Sequence, residues 1–458
     1  MSSRSVFSLL SAANGIYDIA FDGGDVEIEV DGVGSDRVRQ YFPALRSRSR
    51  RYSAGSDFIN LGALSVALSS SRRPVIVAGS GSIPCADKVM QASGQAGIPV
   101  LCTMGSLWRY ASHKHCLGMI GSSGSVECER IRSHSDLVIY LGLTNRGLAH
   151  DTLRLDRPYF DVCEDPSVLA GRSDPGRQVC GSIGDVLDRL RCSLPSPERD
   201  HYWFRLLHDA AVQFSRPRAR LTERMSAARP SSRQTVRAVV SQYAPAETMI
   251  FVDVGLSTLW ASRTLPRGYK VLYTRGFATM GAATLSALGV SDCLTRRLLV
   301  ITGDGGFALS LGEFLHHAAG TASGAGGGRS SVQPDLTVLV LNNGGLGAVR
   351  YEQELRGLVP SAWAAPFNAP ALAALLPAIE YVSVTSRADL ERMDQGRATT
   401  RRVRVINAHV DPLEAPVPAR RIDIRARTTL IRSWARQGRQ GLFHAARTLP
   451  YIIDTWRF

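Results

Sequence analysis

The sequence runs to 458 residues, 44% hydrophobic and 21% charged, with a mean hydropathy of −0.04. This length accommodates roughly two to four domains of ~100–200 residues, and the composition excludes disordered, collagenous and membrane-embedded classes. The formal net charge is +14, and it is uneven: nine arginines from Arg420 to Arg457 stand against only Asp423 and Asp454, while Arg46, Arg48, Arg50 and Arg51 have no acid among them. Lys88, Lys114 and Lys270 are the only lysines. Clustered arginines neutralise phosphates, but this tail interleaves them with Trp434, Phe443, Tyr451, Trp456 and Phe458. That pattern reads as an arm docking on protein, not as a nucleic-acid site. The eight cysteines form no CxxC pair, and residues 1–30 lack the apolar core of a signal peptide. A cytoplasmic protein with reduced thiols is expected. His113, His115, Cys116 and Cys128 match no standard zinc spacing.

Along the chain, residues 24–30 alternate polar and apolar as a half-buried strand does, and the arginine-rich 46–54 reads as a linker. From 58 to 190, strand and helix patterns alternate. Arg73–Gly79, Ile98–Cys102 and Asp136–Gly142 are apolar runs of strand length, and Ala86–Ala96 has a helical pattern. Such alternation predicts a parallel, doubly wound sheet. Gly79-Ser-Gly81 at the first strand's end reads as a tight turn. Residues 194–230 are rich in Pro, Arg and Ser, a linker containing one helix, after which Ser231-Ser-Arg-Gln234 has capping-box form. A second α/β unit follows, with strands at Met249–Asp253, Val271–Tyr273, Leu298–Thr302 and Leu336–Leu341. The glycine-rich stretch 320–334 is expected to be a surface loop.

Two segments carry the chemistry: Leu298-Leu-Val-Ile-Thr-Gly303-Asp304-Gly305-Gly306 and Leu339-Val-Leu-Asn342-Asn343-Gly344-Gly345. Each is an apolar strand ending in a polar, glycine-rich turn. In an open parallel sheet, the carboxyl ends of neighbouring strands form the ligand crevice. Asp304 and Asn343 would present hard oxygens to one point, as Mg²⁺ requires beside phosphate oxygens. Gly305 and Gly306 would leave N–H groups facing a diphosphate. Ser310 to Glu313 has capping-box spacing, which places a helix N-terminus nearby.

The GDG turn followed downstream by the Asn pair resembles the thiamine diphosphate motif. The wider chain is similar to the acetohydroxyacid (acetolactate) synthase-like branch of the thiamine diphosphate enzymes. Phe251-Val-Asp253-Val-Gly255 resembles the opening of that family's diphosphate domain, and Arg275-Gly-Phe-Ala278-Thr279-Met280-Gly281 its GxGTMG turn. Asn368–Leu375 and Val403–Glu414 resemble its closing helix and strand. The resemblance implies an α/β chain of two doubly wound parallel-sheet domains and a basic arm. Its parts would be a pyrimidine-domain remnant and linker (1–55), a central Rossmann-like domain (56–193), a linker (194–230), the thiamine diphosphate-binding domain (231–419) and the C-terminal arm (420–458). It assigns Mg²⁺ to Asp304, Asn343 and the carbonyl of Gly345. Cofactor contacts fall to Gly255, Ser257, Thr258, Thr279, Gly303, Gly305, Gly306 and Leu346. Met280 would hold the cofactor bent, and the Ala278 carbonyl would accept from its amino group. Gly306 stands where the family has a phosphate-contacting serine, and Glu352 where it has an acceptor-pocket tryptophan. The positions that would hold FAD read Gly142-Leu-Thr-Asn-Arg146 without the family's Arg-Phe pair, which speaks against FAD.

The family's activating glutamate comes from an N-terminal pyrimidine domain, of which residues 8–30 resemble only the last helix and strand. Glu27 and Glu29 lie in that strand and read as surface-facing. The resemblance therefore implies a split carboligase acting on a pyruvate-like 2-oxo acid. A partner chain, in a heterotetramer, would supply the acid and contact the arginine-rich segments. A split 2-oxo-acid decarboxylase and a catalytically degenerate scaffold subunit are the alternatives.

Overall fold

The computed structural model describes residues 20–22, 25–27, 59–143, 156–190, 201–215, 229–323, 335–355, 379–395 and 403–414, less 112, 122, 123, 165, 170–172, 266, 267, 275–278, 292–296 and 413, together with 432, 435, 436 and 438. The 46–54 linker, Ala278, the glycine-rich 324–334, Asn368–Leu375 and nearly all of the 420–458 arm lie outside the described residues.

Strands β1 (Ala20–Asp22) and β2 (Asp25–Glu27) form an antiparallel pair. A first α/β unit follows. It comprises α1 (Leu61–Ser70), β3 (Pro74–Ala78), α2 (Ala86–Ala96), β4 (Val100–Cys102), α3 (Leu107–Tyr110), β5 (Cys116–Met119), α4 (Val126–His134), β6 (Leu137–Leu141), β7 (Tyr159–Cys163), α5 (Pro166–Leu169), β8 (Gln178–Cys180) and α6 (Ile183–Leu190). Its six strands are all parallel, in the order β5-β4-β3-β6-β7-β8. β3 is buried along its whole length because helices cover both faces of the sheet. Val75 and Val77 enter one core, Ile76 and Ala78 the other. The helix expected within 194–230 is α7 (His201–Ser215), and it lies on the first of these faces through Trp203 and Ala210. At the end of β3 the chain turns tightly into a 3-10 segment, Ser80–Cys85. Here a Cβ on Gly79 would stand 2.3 Å from the Gly142 carbonyl oxygen.

The second unit holds α8 (Ser232–Val240), β9 (Thr248–Val252), α9 (Leu256–Thr264), β10 (Lys270–Tyr273), α10 (Ala282–Val290), β11 (Arg297–Gly303), α11 (Asp304–Ser323), β12 (Leu336–Asn342), α12 (Gly347–Leu355), β13 (Ile379–Val384), α13 (Arg387–Gln395) and β14 (Val403–His409). Its sheet is again all parallel, ordered β10-β9-β11-β12-β14-β13. The capping box opening α8 is present, with Ser231 Oγ accepting from the Gln234 N–H and the Gln234 side chain reaching back. Alternate residues of β11 again serve two cores: Leu299 and Ile301 face α8, α9 and α13, while Leu298 and Val300 face α10 and α11.

Two expectations are corrected here. Ser310 and Glu313 do not open a helix: α11 already begins at Asp304, and Ser310 bonds back to the carbonyls of Gly306 and Phe307. Phe307 and Phe314, seven residues apart, are both fully buried and stack edge to face at 5.1 Å, so the apolar period runs unbroken through the apparent cap. Residues 320–323 likewise belong to α11, not to a loop. The six described cysteines, Cys85, Cys102, Cys116, Cys128, Cys163 and Cys180, form no disulfide with one another. Among the described residues no helix is long and apolar enough to cross a membrane.

Candidate functional site

From β9 the chain passes to β10 on one side and then returns to β11 on the other. The crevice therefore opens above the carboxyl ends of β9 and β11, the switch point of the sheet. Register brings the polar turns to one level. Val252 pairs with Ile301, Gly303 with Leu341, and Asn342 with His409. Above them lies a cavity of about 220 Å³, lined by residues from six segments: Ser232; Gly255, Ser257 and Trp260; Met280; Gly303 to Gly306; Leu341, Asn343 and Gly345 to Val349; and Val410, Asp411 and Glu414. Of the residues expected to bind cofactor, Thr258 and Thr279 are not in this lining, and Ala278 lies outside the described residues.

Asp304 is 3% exposed, and its Oδ2 has no hydrogen-bond partner. Burial pushes its carboxyl up to about 6, against the opposite pull of the backbone N–H groups of Gly305, Asp304 itself, Gly345 and Gly344. A buried carboxylate oxygen left without a donor is unfavourable unless a cation meets it. Across from it, Asn343 Oδ1 accepts from the Gly345 N–H at 3.2 Å, which curls the loop around the side chain as an Asx turn does. Gly344 has φ +77, a conformation suited to glycine. A Cβ on Gly347 would stand 2.2 Å from Asn343 Nδ2, so this second glycine makes room for the amide. Below the loop, Asn342 donates to Asn407 Oδ1 at 3.0 Å, and Asn407 in turn donates to the Tyr381 hydroxyl at 2.8 Å.

The two glycines after Asp304 differ. A Cβ on Gly305 would meet Leu346 Cδ2 at 2.8 Å and Met280 Cε at 3.0 Å, so Leu346 and Met280 close over this backbone at the cavity. A Cβ on Gly306 would lie 2.2 Å from Asp253 Oδ2 and 2.7 Å from Thr302 Oγ1. Its missing side chain thus faces the protein interior, whereas its backbone contributes to the lining. Ser257 Oγ donates to the carbonyls of Asp253 and Val254 at 3.0 and 2.9 Å, and Thr258 Oγ1 to that of Asp253 at 2.5 Å. Both hydroxyl protons are committed to the backbone.

Three features escaped sequence reasoning. Asp253 is 1% exposed and fixes surrounding turns. Asp411 and Glu414 line the far wall, where Glu414 Oε2 accepts the Ser232 N–H at 2.6 Å. Gly347 had a visible signal in the spacing of Gly344, Gly345 and Gly347. The others depend on contacts between residues far apart in the chain.

Among the described residues, no three His, Cys, Asp or Glu side chains cluster to hold a metal. A cation here would rest on Asp304 with neutral oxygens from Asn343 and Gly345, the sparse protein set that Mg²⁺ accepts when phosphates and water complete its shell. The unpartnered Oδ2 of Asp304 fits that role. The first N–H groups of α11 have no intrahelical acceptor and suit an anion.

Comparison with known proteins agrees with this geometry. Residues 253–408 match the C-terminal TPP binding domain of thiamine pyrophosphate enzymes, and residues 62–190 match their central domain. The acetolactate synthase isozyme 1 large subunit of Escherichia coli is 25% identical over 295 residues, 63% of this chain and 49% of that protein. The isozyme 3 large subunit of the same organism is 24% identical over 302 residues, 63% of this chain and 50% of that protein. An acetolactate synthase of Arthrospira platensis is 24% identical over 363 residues, 74% of this chain and 57% of that protein. The chain spans about half the length of the first curated relatives it matches. Two parallel sheets in the matched segments, with the GDG and Asn turns brought together at a switch point, place the chain in the thiamine pyrophosphate (thiamine diphosphate) enzyme family, with acetolactate synthase large subunits among its homologues.

Proposed function

We propose that this chain holds the diphosphate and metal end of thiamine diphosphate in a carboligase. The enzyme would decarboxylate a pyruvate-like 2-oxo acid and transfer the acyl unit to a carbonyl acceptor. A separate pyrimidine-domain polypeptide would supply the activating glutamate in a heteromeric, tetrameric complex. The observation that carries this reading is the buried, unpartnered Oδ2 of Asp304 at the cavity wall. Asp304, the Asn343 side-chain oxygen and the Gly345 carbonyl would hold Mg²⁺, and the N–H groups of Gly305 and Gly306 would meet the diphosphate. When bound, thiamine diphosphate supplies the electron sink that lets a 2-oxo acid lose its carboxylate. The remaining tasks fall to side chains. Met280 and Leu346, which converge over Gly305, would orient the cofactor, and Trp260 and Leu341 of the lining would wall it from water.

The carboxylates in the lining favour an acid brought by another chain. Asp304 faces the metal end, while Asp411 and Glu414 lie together on the far wall, both partnered, Glu414 with the Ser232 N–H. The names of the Escherichia coli relatives designate large subunits, which accords with an assembly of unlike chains. A product assay on the complex, with and without a carbonyl acceptor, tests the chemistry. A new carbon–carbon bond is expected, whereas aldehyde alone would indicate the decarboxylase. Asp304→Ala is expected to abolish both activity and Mg²⁺-dependent thiamine diphosphate binding. Unchanged complex activity in that variant would leave only the scaffold reading.

A further inference from the structure

We propose that Asp253 is the positioning residue of this site, locking the Met280 turn to the start of α11 so that both present to the cofactor as one rigid surface. The inference rests on the functional reading above and adds a role for a residue that does not line the cavity. Asp253 follows β9 at the switch point and is 1% exposed. Its Oδ2 accepts from the Gly281 N–H and from Thr302 Oγ1, each at 2.8 Å. Gly281 follows Met280 and caps α10, and Thr302 lies two residues before Asp304. The main chain of Asp253 ties in two further segments. Its N–H donates to the Ile301 carbonyl at 2.9 Å, and its carbonyl accepts from Ser257 and Thr258 at the start of α9. One residue thus joins β9, α9, the Met280 turn and the β11–α11 junction.

Gly306 completes the lock. With 2.2 Å between a would-be Cβ and Oδ2, only glycine lets α11 begin directly against the carboxylate. The arrangement also accounts for burying an acid whose Oδ1 has no hydrogen-bond partner. The N-terminal ends of α9, α10 and α11 all begin within a few residues of these contacts, and their dipoles favour a negative group there. Asp253 would therefore act through the turns it holds, without touching the cofactor.

The test compares Asp253→Ala with Asp253→Asn, which keeps an acceptor oxygen, in the full-length chain and in its complex. Amide hydrogen exchange without cofactor is read over residues 279–285 and over β3 as an internal reference. Asp253→Ala is expected to speed exchange at least tenfold in 279–285 with β3 unchanged, and Asp253→Asn to restore protection. In the complex at saturating Mg²⁺, calorimetric titration with thiamine diphosphate is expected to show at least tenfold weaker binding for the alanine variant and no more than threefold for the asparagine. Wild-type protection at 279–285 in Asp253→Ala, or equal damage by both variants, would overturn the inference. Failure of wild-type complex to bind thiamine diphosphate would instead defeat the functional reading, while the exchange result still decides the role of Asp253 as a lock. Should Asp253→Ala not fold, the asparagine variant decides alone: loss of protection in 279–285 overturns the proposal.

Discussion

Asp304, the proposed metal ligand, is buried at the expense of the fold. The folded chain holds its proton more tightly than the unfolded chain, since burial raises the carboxyl from 3.8 to about 6. Its favourable contribution is therefore fully present below about pH 3.8 and is lost as pH rises through about 6. Roughly two pKa units correspond to on the order of 3 kcal/mol. Asp304→Asn is expected to raise the cofactor-free melting temperature at pH 8, with a gain that shrinks steadily as pH is lowered towards 4; paired calorimetric scans check this. The neighbouring glycines separate in the same kind of measurement. Gly306→Ala pushes a methyl into the hydrogen-bonded Asp253 carboxylate and Thr302, a loss of about 2–4 kcal/mol. Gly305→Ala meets only the flexible tips of Leu346 and Met280 and is expected to lose less than about 1.5 kcal/mol. Asp304 and Asn343 were legible in the sequence because each follows an apolar strand at a glycine-rich turn. The inward face of Gly306 was not, since its contact is with a residue 53 positions earlier and requires the β9–β11 pairing to exist.

At the level of elements, apolar runs located β3, β6, β9, β11 and β12 within a residue or two. The strands that escaped are short or chemically mixed. β5 is Cys-Leu-Gly-Met with Gly118 at φ 127, and β8 is three residues long. Both are held by a neighbour already in place, through a bulge in one case. Capping-box spacing worked at Ser231 and misled at Ser310, and the difference is what precedes it. Ser231 follows Pro230 and residues outside any apolar period, while Ser310 sits between Phe307 and Phe314 on one buried stripe. The Ser231 cap also sets α8 against the cavity wall, through the adjacent Ser232 N–H on Glu414. Ser231→Ala is expected to lower stability by about 1 kcal/mol, measurable as a shifted urea midpoint with an unchanged slope.

For the molecule as a whole, both parallel sheets were legible from the alternation of strand and helix patterns, which fixes handedness and layering. The basic arm and the Arg46–Arg51 run were legible only as charge, and docking on the partner chain is the role proposed for them. Supplied with Mg²⁺ and thiamine diphosphate, the chain alone is expected to give no pyruvate turnover. Turnover should rise on adding a pyrimidine-domain chain, and fall again when residues 420–458 are deleted. Robust turnover by the chain alone, followed by carbon dioxide release, would rule out the split arrangement.

The turn at Gly79 carries a consequence for how such a molecule diversifies. Both sheets reverse strand order, β3 beside β6 in the first and β9 beside β11 in the second, so each has the topology that elsewhere admits a ligand. In the first, Gly79 and Gly81 donate to the carbonyls of Leu141 and Gly142 at 2.7 and 2.9 Å, sealing main chain against main chain. A Cβ at Gly142, already at φ +61, would stand 2.5 Å from the Ser82 nitrogen. No single substitution at either glycine can install a new recognition group without prising the two turns apart. A new recognition group in the first sheet must therefore come from positions other than Gly79 and Gly142.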